Sequence, residues 1–143
     1  MQLRLKNMDQ NCIFCKIVAG QIPSAKVYED EKILAFLDIA PVHDGHVLVI
    51  PKRHYANLEA MPEDELCVLI KVVKKIGRGL KEGLQVAGYN VTENNDPVAG
   101  QIIGHLHFHI IPRKENDGLH LWPQGRYGEG EMQAIAEKIK KAL

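Results

Sequence analysis

The sequence lacks the features that mark membrane-spanning, disulfide-stapled and strongly charged proteins. Its 143 residues contain no run of about eighteen apolar residues, which a helix needs to cross a bilayer. Lys plus Arg and Asp plus Glu balance at 18 each, so charge gives no reason to expect nucleic acid or a membrane surface as a partner. The three cysteines, an odd number, suit reduced thiols better than a disulfide framework.

Targeting signals, internal repeats and low-complexity linkers are also missing. Residues 1–10 mix charged side chains with single leucines and have no apolar centre like that of a signal peptide. We therefore expect a cytoplasmic protein with a single domain over 1–143. Within it, 1–11 is expected to be a flexible N-terminal extension and 113–143 a C-terminal segment.

Hydrophobic periodicity predicts an α+β fold, in which a long helix packs on an antiparallel sheet of about five strands. The long helix is expected to bury one apolar stripe that includes Ile70, and Cys67 is expected in the core. Strands joined by short turns favour an antiparallel sheet with helices to one side. The expected helices are 12–19, 63–83 and 131–142, and the expected strands are 25–30, 33–38, 46–51, 88–94 and 104–111.

Three histidines alternate along the predicted strand 104–111. Side chains alternate between the two faces of a strand, so His105, His107 and His109 are expected on one face, with neighbouring imidazoles about 6.6 Å apart. The opposite face is expected to pack on the core through Leu106, Phe108 and Ile110.

This histidine face has three interpretations. It can be a polar, solvated strand face, a three-histidine metal site, or a site for catalysis on phosphorus. Neutral imidazole is a good nucleophile near pH 7, which favours the third interpretation. Asn94 and Gln101 flank the approach to the strand, and Gly100 allows a backbone to come close to a ligand.

The run His-x-His-x-His followed by two apolar residues resembles the signature of the histidine-triad (HIT) family of nucleotide hydrolases and transferases, in particular its bacterial Hint-like branch. Residues 38–41, 45–51 and 94–112 also resemble the family in order and spacing. The similarity covers about residues 12–112. This resemblance implies the fold expected above, assembled as a homodimer.

The resemblance also implies roles for the catalytic side chains. His107, the middle histidine, would be the nucleophile that takes the nucleotidyl group. His109 would contact the phosphate. His46 would lie behind the triad and help to orient it.

Substrate-binding residues follow from the same resemblance. Asp38 would bind the ribose hydroxyls, while Asn94 and Gln101 would bind phosphate or leaving-group atoms. Relatives in the phosphoramidase branch usually carry Ser or Thr after the glutamine, whereas this chain has Ile102, which leaves the preferred leaving group open. The apolar slot for the base would be formed by Phe14, Ile17, Phe36 and Ile39.

The pair Cys12-x-x-Cys15 has the spacing of zinc ligands, although the spacing alone is weak. Two buried, unpaired cysteines are the plain alternative, and a thioredoxin-like redox pair is disfavoured because the motif does not follow a strand in a βαβ unit. The family resemblance adds His54 and His105 as further ligands, which would make a closed, structural zinc site.

The function implied by the resemblance is hydrolysis of purine nucleoside phosphoramidates, or related AMP- or GMP-linked compounds, through a nucleotidyl-histidine intermediate. Dinucleoside polyphosphate hydrolysis is the close alternative. A nucleotide-binding or scaffold protein with little turnover is an alternative of another class.

In relatives with a tryptophan at the position of Trp122, the C-terminal segment reaches toward the active site of the partner subunit.

Overall fold

The structure is a computed structural model that describes residues 7–143, so the first part of the expected extension 1–11 lies outside the described residues. Five antiparallel strands form one sheet in the order β1-β2-β3-β5-β4. The strands are β1 (Lys26–Glu29), β2 (Ile33–Leu37), β3 (Val47–Pro51), β4 (Gly88–Glu93) and β5 (Phe108–Arg113), and the helices are α1 (Ile13–Val18), α2 (Glu63–Leu84) and α3 (Glu131–Ala142), with a short 3-10 turn at Pro97–Ala99. The predicted α+β class, with a five-stranded antiparallel sheet under a long helix, is confirmed.

Both faces of the central strands are apolar, because a helix covers each of them. Ile33 and Val49 pack in the core under α2, whereas their neighbours Leu34 and Leu48 pack against α1. The expectation that the helices lie to one side of the sheet is therefore wrong. Burial on both faces explains why the sequences of β2 and β3 are continuous apolar runs and do not alternate.

The long helix α2 buries one stripe, as expected, but Cys67 and Ile70 are exposed. Leu69 lies at the centre of the buried stripe. At 3.6 residues per turn, Ile70 is rotated by about 100° from Leu69 and Cys67 by about 160°. Both side chains therefore turn away from the sheet, and the prediction that they are core residues is wrong.

The histidine segment keeps the predicted faces, but the strand begins later than predicted, at Phe108. Phe108 and Ile110 pack in the core under α2, as does Leu106, which precedes the strand. Leu106 N–H bonds to Tyr55 O (2.7 Å) and not to β3. Pro51, the last residue of β3, has no N–H with which to extend the pairing.

The two ends of the described chain differ in their contacts. His54 N–H donates to Asn7 O (3.0 Å), which joins the beginning of the described chain to the loop after β3. By contrast, α3 buries none of its residues. Across residues 7–143, no helix combines the length and the apolar character that crossing a membrane requires.

Helix α2 and strand β4 pack closely at Gly77. A Cβ placed on Gly77 would lie 2.6 Å from the Tyr89 hydroxyl and would overlap the ring. The absence of a side chain at position 77 therefore sets the separation of this helix from the edge of the sheet.

We predict that Gly77→Ala lowers the free energy of unfolding by about 1–3 kcal/mol, because the added methyl group displaces the Tyr89 ring. The matched control is Gly79→Ala, since a Cβ at this exposed position of α2 meets no atom within 4 Å. It should raise stability by up to about 1 kcal/mol through helix propensity alone. Urea denaturation measures both changes, and equal stabilisation by the two substitutions would contradict the tight contact.

Candidate functional site

The His107 ring is held by three contacts on the α1 face of the sheet. Its Nδ1–H donates to the backbone oxygen of His105 (2.6 Å). The His109 ring lies 4.9 Å away and the Phe14 ring 5.2 Å away, measured between centroids. Because Nδ1 carries the proton, the Nε2 lone pair of neutral His107 is free to act as a nucleophile.

A chain of hydrogen bonds fixes the protons of the two neighbouring imidazoles. Val42 N–H donates to His46 Nδ1 (3.1 Å), so the proton of neutral His46 is on Nε2. That Nε2–H donates to His109 Nδ1 at 2.9 Å. His109 therefore carries its own proton on Nε2, where it can be donated to a ligand.

Burial keeps these imidazoles neutral. It lowers the pKa of His107 and of His46, although the Asp38 carboxylate opposes both shifts. Burial, helped by the charges that His107 and His46 would carry, lowers the pKa of His109 to about 4. A neutral His107 is the form that can attack an electrophile at neutral pH.

Asp38 lies at the edge of the histidine cluster, in the turn after β2. Its backbone N–H donates to His46 O (2.9 Å), and its Oδ1 accepts the Ala40 N–H (2.9 Å). Its Oδ2 is 3.8 Å from His46 Nε2, and the side chain is partly exposed. The carboxylate therefore retains lone pairs that can accept hydroxyl groups from a ligand.

The residues expected to form a base slot differ in how far they are buried. Phe14, Ile17 and Phe36 are buried in the cluster beneath α1, and the Phe14 and Phe36 rings meet edge to face at 5.6 Å. Ile39 is 97% exposed, in the loop that follows Asp38.

Gln101, in the loop after β4, is held by hydrogen bonds between its side-chain amide and backbone groups. Gln101 Nε2–H donates to Ala56 O (2.6 Å), and Asp96 N–H donates to Gln101 Oε1 (2.8 Å), which leaves the second Nε2 hydrogen for another acceptor. The Asn94 side chain lies beside Gly100, whose φ of +94° suits glycine. Ile102, the next residue after Gln101, is 91% exposed.

Four side chains of metal-ligand type converge around the His105 ring: those of Cys12, Cys15, His54 and His105 itself. Cys12 Sγ and Cys15 Sγ lie 3.4 Å and 3.6 Å from His105 Nδ1, and Cys15 Sγ lies 3.5 Å from His54 Nδ1. The four ligand atoms lie within 4.8 Å of one another. With metal bonds to sulfur of about 2.3 Å and to nitrogen of about 2.0 Å, a tetrahedral site places these atoms about 3.6 Å apart.

The protonation of His105 also suits a metal ligand. His105 Nε2–H donates to Pro51 O (2.8 Å), so its Nδ1 presents a lone pair to the two cysteines. Burial lowers the pKa of His105 to about 4 and raises the pKa of Cys15 to about 11. A cation would stabilise the thiolate, so this Cys2His2 group fits a closed metal site.

Asp38, His46 and His109 form a second group of ligand types within 4.8 Å, but their protons do not suit a metal. The Nδ1 lone pair of His46 accepts the Val42 N–H, so its Nε2 carries a proton and cannot offer a lone pair. A metal there would have to break this hydrogen-bond chain. The geometry therefore favours proton positioning over a metal ion at Asp38, His46 and His109.

Several atoms that orient the site could not be found by reading side chains. Val42 N–H, Pro51 O and His105 O each fix the tautomer of one histidine, and all three are backbone groups. Alternation indicates that the histidines share a face, but nothing in the sequence indicates which backbone group each ring is hydrogen-bonded to. Trp122 is 87% exposed within this chain.

Comparison with known proteins identifies the family of this chain. Residues 19–116 match the pattern described as the HIT domain. The chain is 59% identical over 130 residues to an uncharacterised HIT-like protein of Methanocaldococcus jannaschii, covering 91% of this chain and 97% of that protein. It is 44% identical over 142 residues to the adenosine 5'-monophosphoramidase of Candida albicans, covering 93% and 91%.

Solved structures share the fold. A HIT family member from Bacillus subtilis superposes with a TM-score of 0.87 at 44% identity, covering 94% of this chain and 98% of that chain. A zinc-bound histidine triad family protein from Mycobacterium smegmatis superposes with a TM-score of 0.74 at 34% identity, covering 93% and 98%. The HIT domain matches residues 19–116, and the alignments cover more than 90% of this chain and of each relative. This protein therefore belongs to the histidine-triad (HIT) family and is close to the bacterial HIT proteins.

Proposed function

We propose that this protein is a nucleotide hydrolase that cleaves purine nucleoside phosphoramidates, or related AMP- and GMP-linked compounds, through a nucleotidyl-His107 intermediate. The observation that carries the proposal is the bond from His107 Nδ1–H to His105 O, because it leaves the Nε2 lone pair free to attack phosphorus. The name of the Candida albicans relative, adenosine 5'-monophosphoramidase, supports the same reaction.

In the first step, His107 Nε2 bonds to the α-phosphorus as the bond from phosphorus to the leaving nitrogen breaks, and that nitrogen, protonated from solvent before the bond breaks, leaves as the neutral amine. The His107 ring becomes positively charged, and its Nδ1–H then makes a charge-assisted hydrogen bond to His105 O. In the second step, water attacks phosphorus and releases a proton to solvent, the nucleoside monophosphate leaves, and His107 regains its Nε2 lone pair.

The neighbouring groups bind the substrate around His107. His109 Nε2–H donates to a phosphate oxygen, and the hydrogen bond from His46 keeps the proton on that atom. The Asp38 carboxylate accepts the ribose hydroxyls. Asn94 and the second N–H of Gln101 bind phosphate or leaving-group atoms, and the base occupies the apolar slot of Phe14, Ile17, Phe36 and Ile39.

Ile102 restricts the leaving group. Its side chain cannot donate a proton, so a basic amine that already carries its own proton suits this site better than one that depends on the protein. A polyphosphate can leave as an anion, which makes dinucleoside polyphosphates the second candidate substrates. Comparing kcat/KM on adenosine 5'-phosphoramidate and on diadenosine polyphosphates separates the two.

We also propose that Cys12, Cys15, His54 and His105 bind a structural zinc ion. Four protein ligands leave no open position on zinc, so the ion would join α1 to the sheet without entering the reaction. The zinc-bound relative from Mycobacterium smegmatis supports the identity of the ion. The two thiols must remain reduced to bind it, which supports a cytoplasmic location.

The homodimer is proposed to form through β4. Strand β1 is short, bulged after Lys26 and therefore protected from pairing. Strand β4 has six residues, a regular register and Val91 exposed at 43% on the opposite edge. Pairing of β4 with a second copy would cover this edge.

We predict that His107→Asn lowers turnover of adenosine 5'-phosphoramidate on the order of 10³-fold, or roughly 4 kcal/mol of transition-state stabilisation. Asparagine cannot attack phosphorus, but it is smaller and neutral, so folding and AMP binding should stay nearly intact. His109→Asn is the matched variant and should cost less, because it removes a phosphate contact only. Steady-state kinetics and calorimetric AMP binding measure these effects, and substantial turnover by His107→Asn would show that the mechanism is wrong.

We predict that the purified protein contains one zinc per chain, and that Cys12→Ser loses the zinc and unfolds at a lower temperature while keeping some activity when folded. Cys67→Ser is the matched control, because Cys67 is exposed on α2, away from the ligand group. It should change neither metal content nor Tm appreciably. Elemental analysis and calorimetry provide the measurements, and metal-free protein at purification would remove the proposal.

We predict that sedimentation gives about twice the 16.1 kDa chain mass at micromolar concentration. Val91→Asp on β4 should shift the protein toward monomer, because it buries a charge in the proposed interface. Val27→Asp on β1, where the valine is exposed to a similar extent, should not change the mass. A monomeric wild-type protein, or dissociation by Val27→Asp alone, would contradict this assembly.

A further inference from the structure

Phe14 contacts two histidines of the site, and a role in binding a base does not explain these contacts. It lies on α1 between Cys12 and Cys15, and the residue is 6% exposed. The ring meets His107 at 5.2 Å with the planes at 81°, and it meets His105 at 5.8 Å with the planes at 74°. Phe14 therefore touches both the proposed nucleophile and the residue whose carbonyl orients that nucleophile.

The plane of the His107 ring depends on such packing contacts. Rotation of an imidazole about its Cβ–Cγ bond is broad and has no sharp rotamer preference of its own. The His107 ring is bonded at Nδ1–H to His105 O, flanked by the His109 ring at 65°, and met almost perpendicularly by Phe14. A large, rigid ring beside His107 limits this rotation.

Loss of that limit would affect the nucleophile in two ways. The Nε2 lone pair would point over a wider range, and misplacement of a reacting atom by 1 Å can cost about 10²-fold in rate. The ring could also turn its Nδ1–H away from His105 O, which would allow the proton to move to Nε2. Protonated in this way, Nε2 of a neutral imidazole has no lone pair with which to attack.

We propose that Phe14 is a positioning residue that holds His107 in the ring plane and tautomer required for attack on phosphorus. The catalytic part of this inference rests on the proposed nucleophilic role of His107, whereas the effect on the tautomer does not. Helix α1 has six residues, too few to be stable alone. The thiols of Cys12 and Cys15, beside His54 and His105, hold it against the sheet and so keep Phe14 in place.

The test compares Phe14→Leu with the matched substitution Phe36→Leu. Phe36 is buried in the same cluster and touches Phe14 at 5.6 Å. Imidazole ¹⁵N shifts, with the His107 signals assigned from His107→Asn, report the tautomer without any substrate. Initial rates with adenosine 5'-phosphoramidate then separate kcat from KM.

We expect His107 to be a single Nδ1–H tautomer in the wild-type protein. Phe14→Leu should give a mixture of tautomers and lower kcat on the order of tenfold or more, in addition to any rise in KM that comes from its place in the base slot. Phe36→Leu should raise KM and leave the tautomer of His107 unchanged. If Phe14→Leu does not fold, Phe14→Ile takes its place in the same comparison.

A Phe14→Leu variant that keeps a single Nδ1–H tautomer and the wild-type kcat, with only KM raised, would overturn the inference and leave Phe14 as part of a base slot. A failure of the proposed function looks different. In that case the wild-type protein does not cleave the phosphoramidate, while the ¹⁵N comparison still decides whether Phe14 sets the state of His107.

Discussion

The hydrogen bond from His107 Nδ1–H to His105 O is the interaction on which the proposed chemistry depends. It selects one of two tautomers of a neutral imidazole, and only this tautomer presents a lone pair at Nε2. Burial lowers the pKa of His107, although this hydrogen bond opposes the shift, and burial therefore favours the neutral ring. A second chain, from Val42 through His46, places the proton of His109 on its outer nitrogen. Two neighbouring imidazoles thus hold their protons differently: His107 has a free lone pair at Nε2, and His109 has a hydrogen there.

This arrangement requires the sheet to be apolar on both faces. The α2 face forms the larger core, while the α1 face holds the histidines together with Phe14 and the cysteine pair. His105 joins the two parts of that face, because its ring meets the cysteines and its carbonyl orients His107. A six-residue helix is unstable alone, so the metal-ligand group and the apolar contacts of α1 stabilise it together. Stability and nucleophile geometry therefore depend on the same short segment.

Local periodicity was sufficient to predict much of the fold. Alternation along 104–111 correctly assigned Leu106 and Phe108 to the core, because only strand geometry is needed for that inference. The start of the strand could not be predicted from the segment itself, since Pro51 on the neighbouring strand ends the pairing. Residue type alone cannot place Cys67, because its angle around the helix turns it away from the sheet and leaves it exposed. The backbone groups that fix the histidine tautomers give no sequence signal, so they were found only in three dimensions.

The most direct measurement of the central claim is denaturing mass spectrometry after brief mixing of the protein with adenosine 5'-phosphoramidate. A nucleophilic His107 predicts a transient mass increase of one adenylyl group per chain, which peptide mapping places on His107. The adduct should be absent from His107→Asn and should decay as AMP is released. Turnover without any adduct, or an adduct on His105 or His109, would contradict the assignment of His107 as the nucleophile.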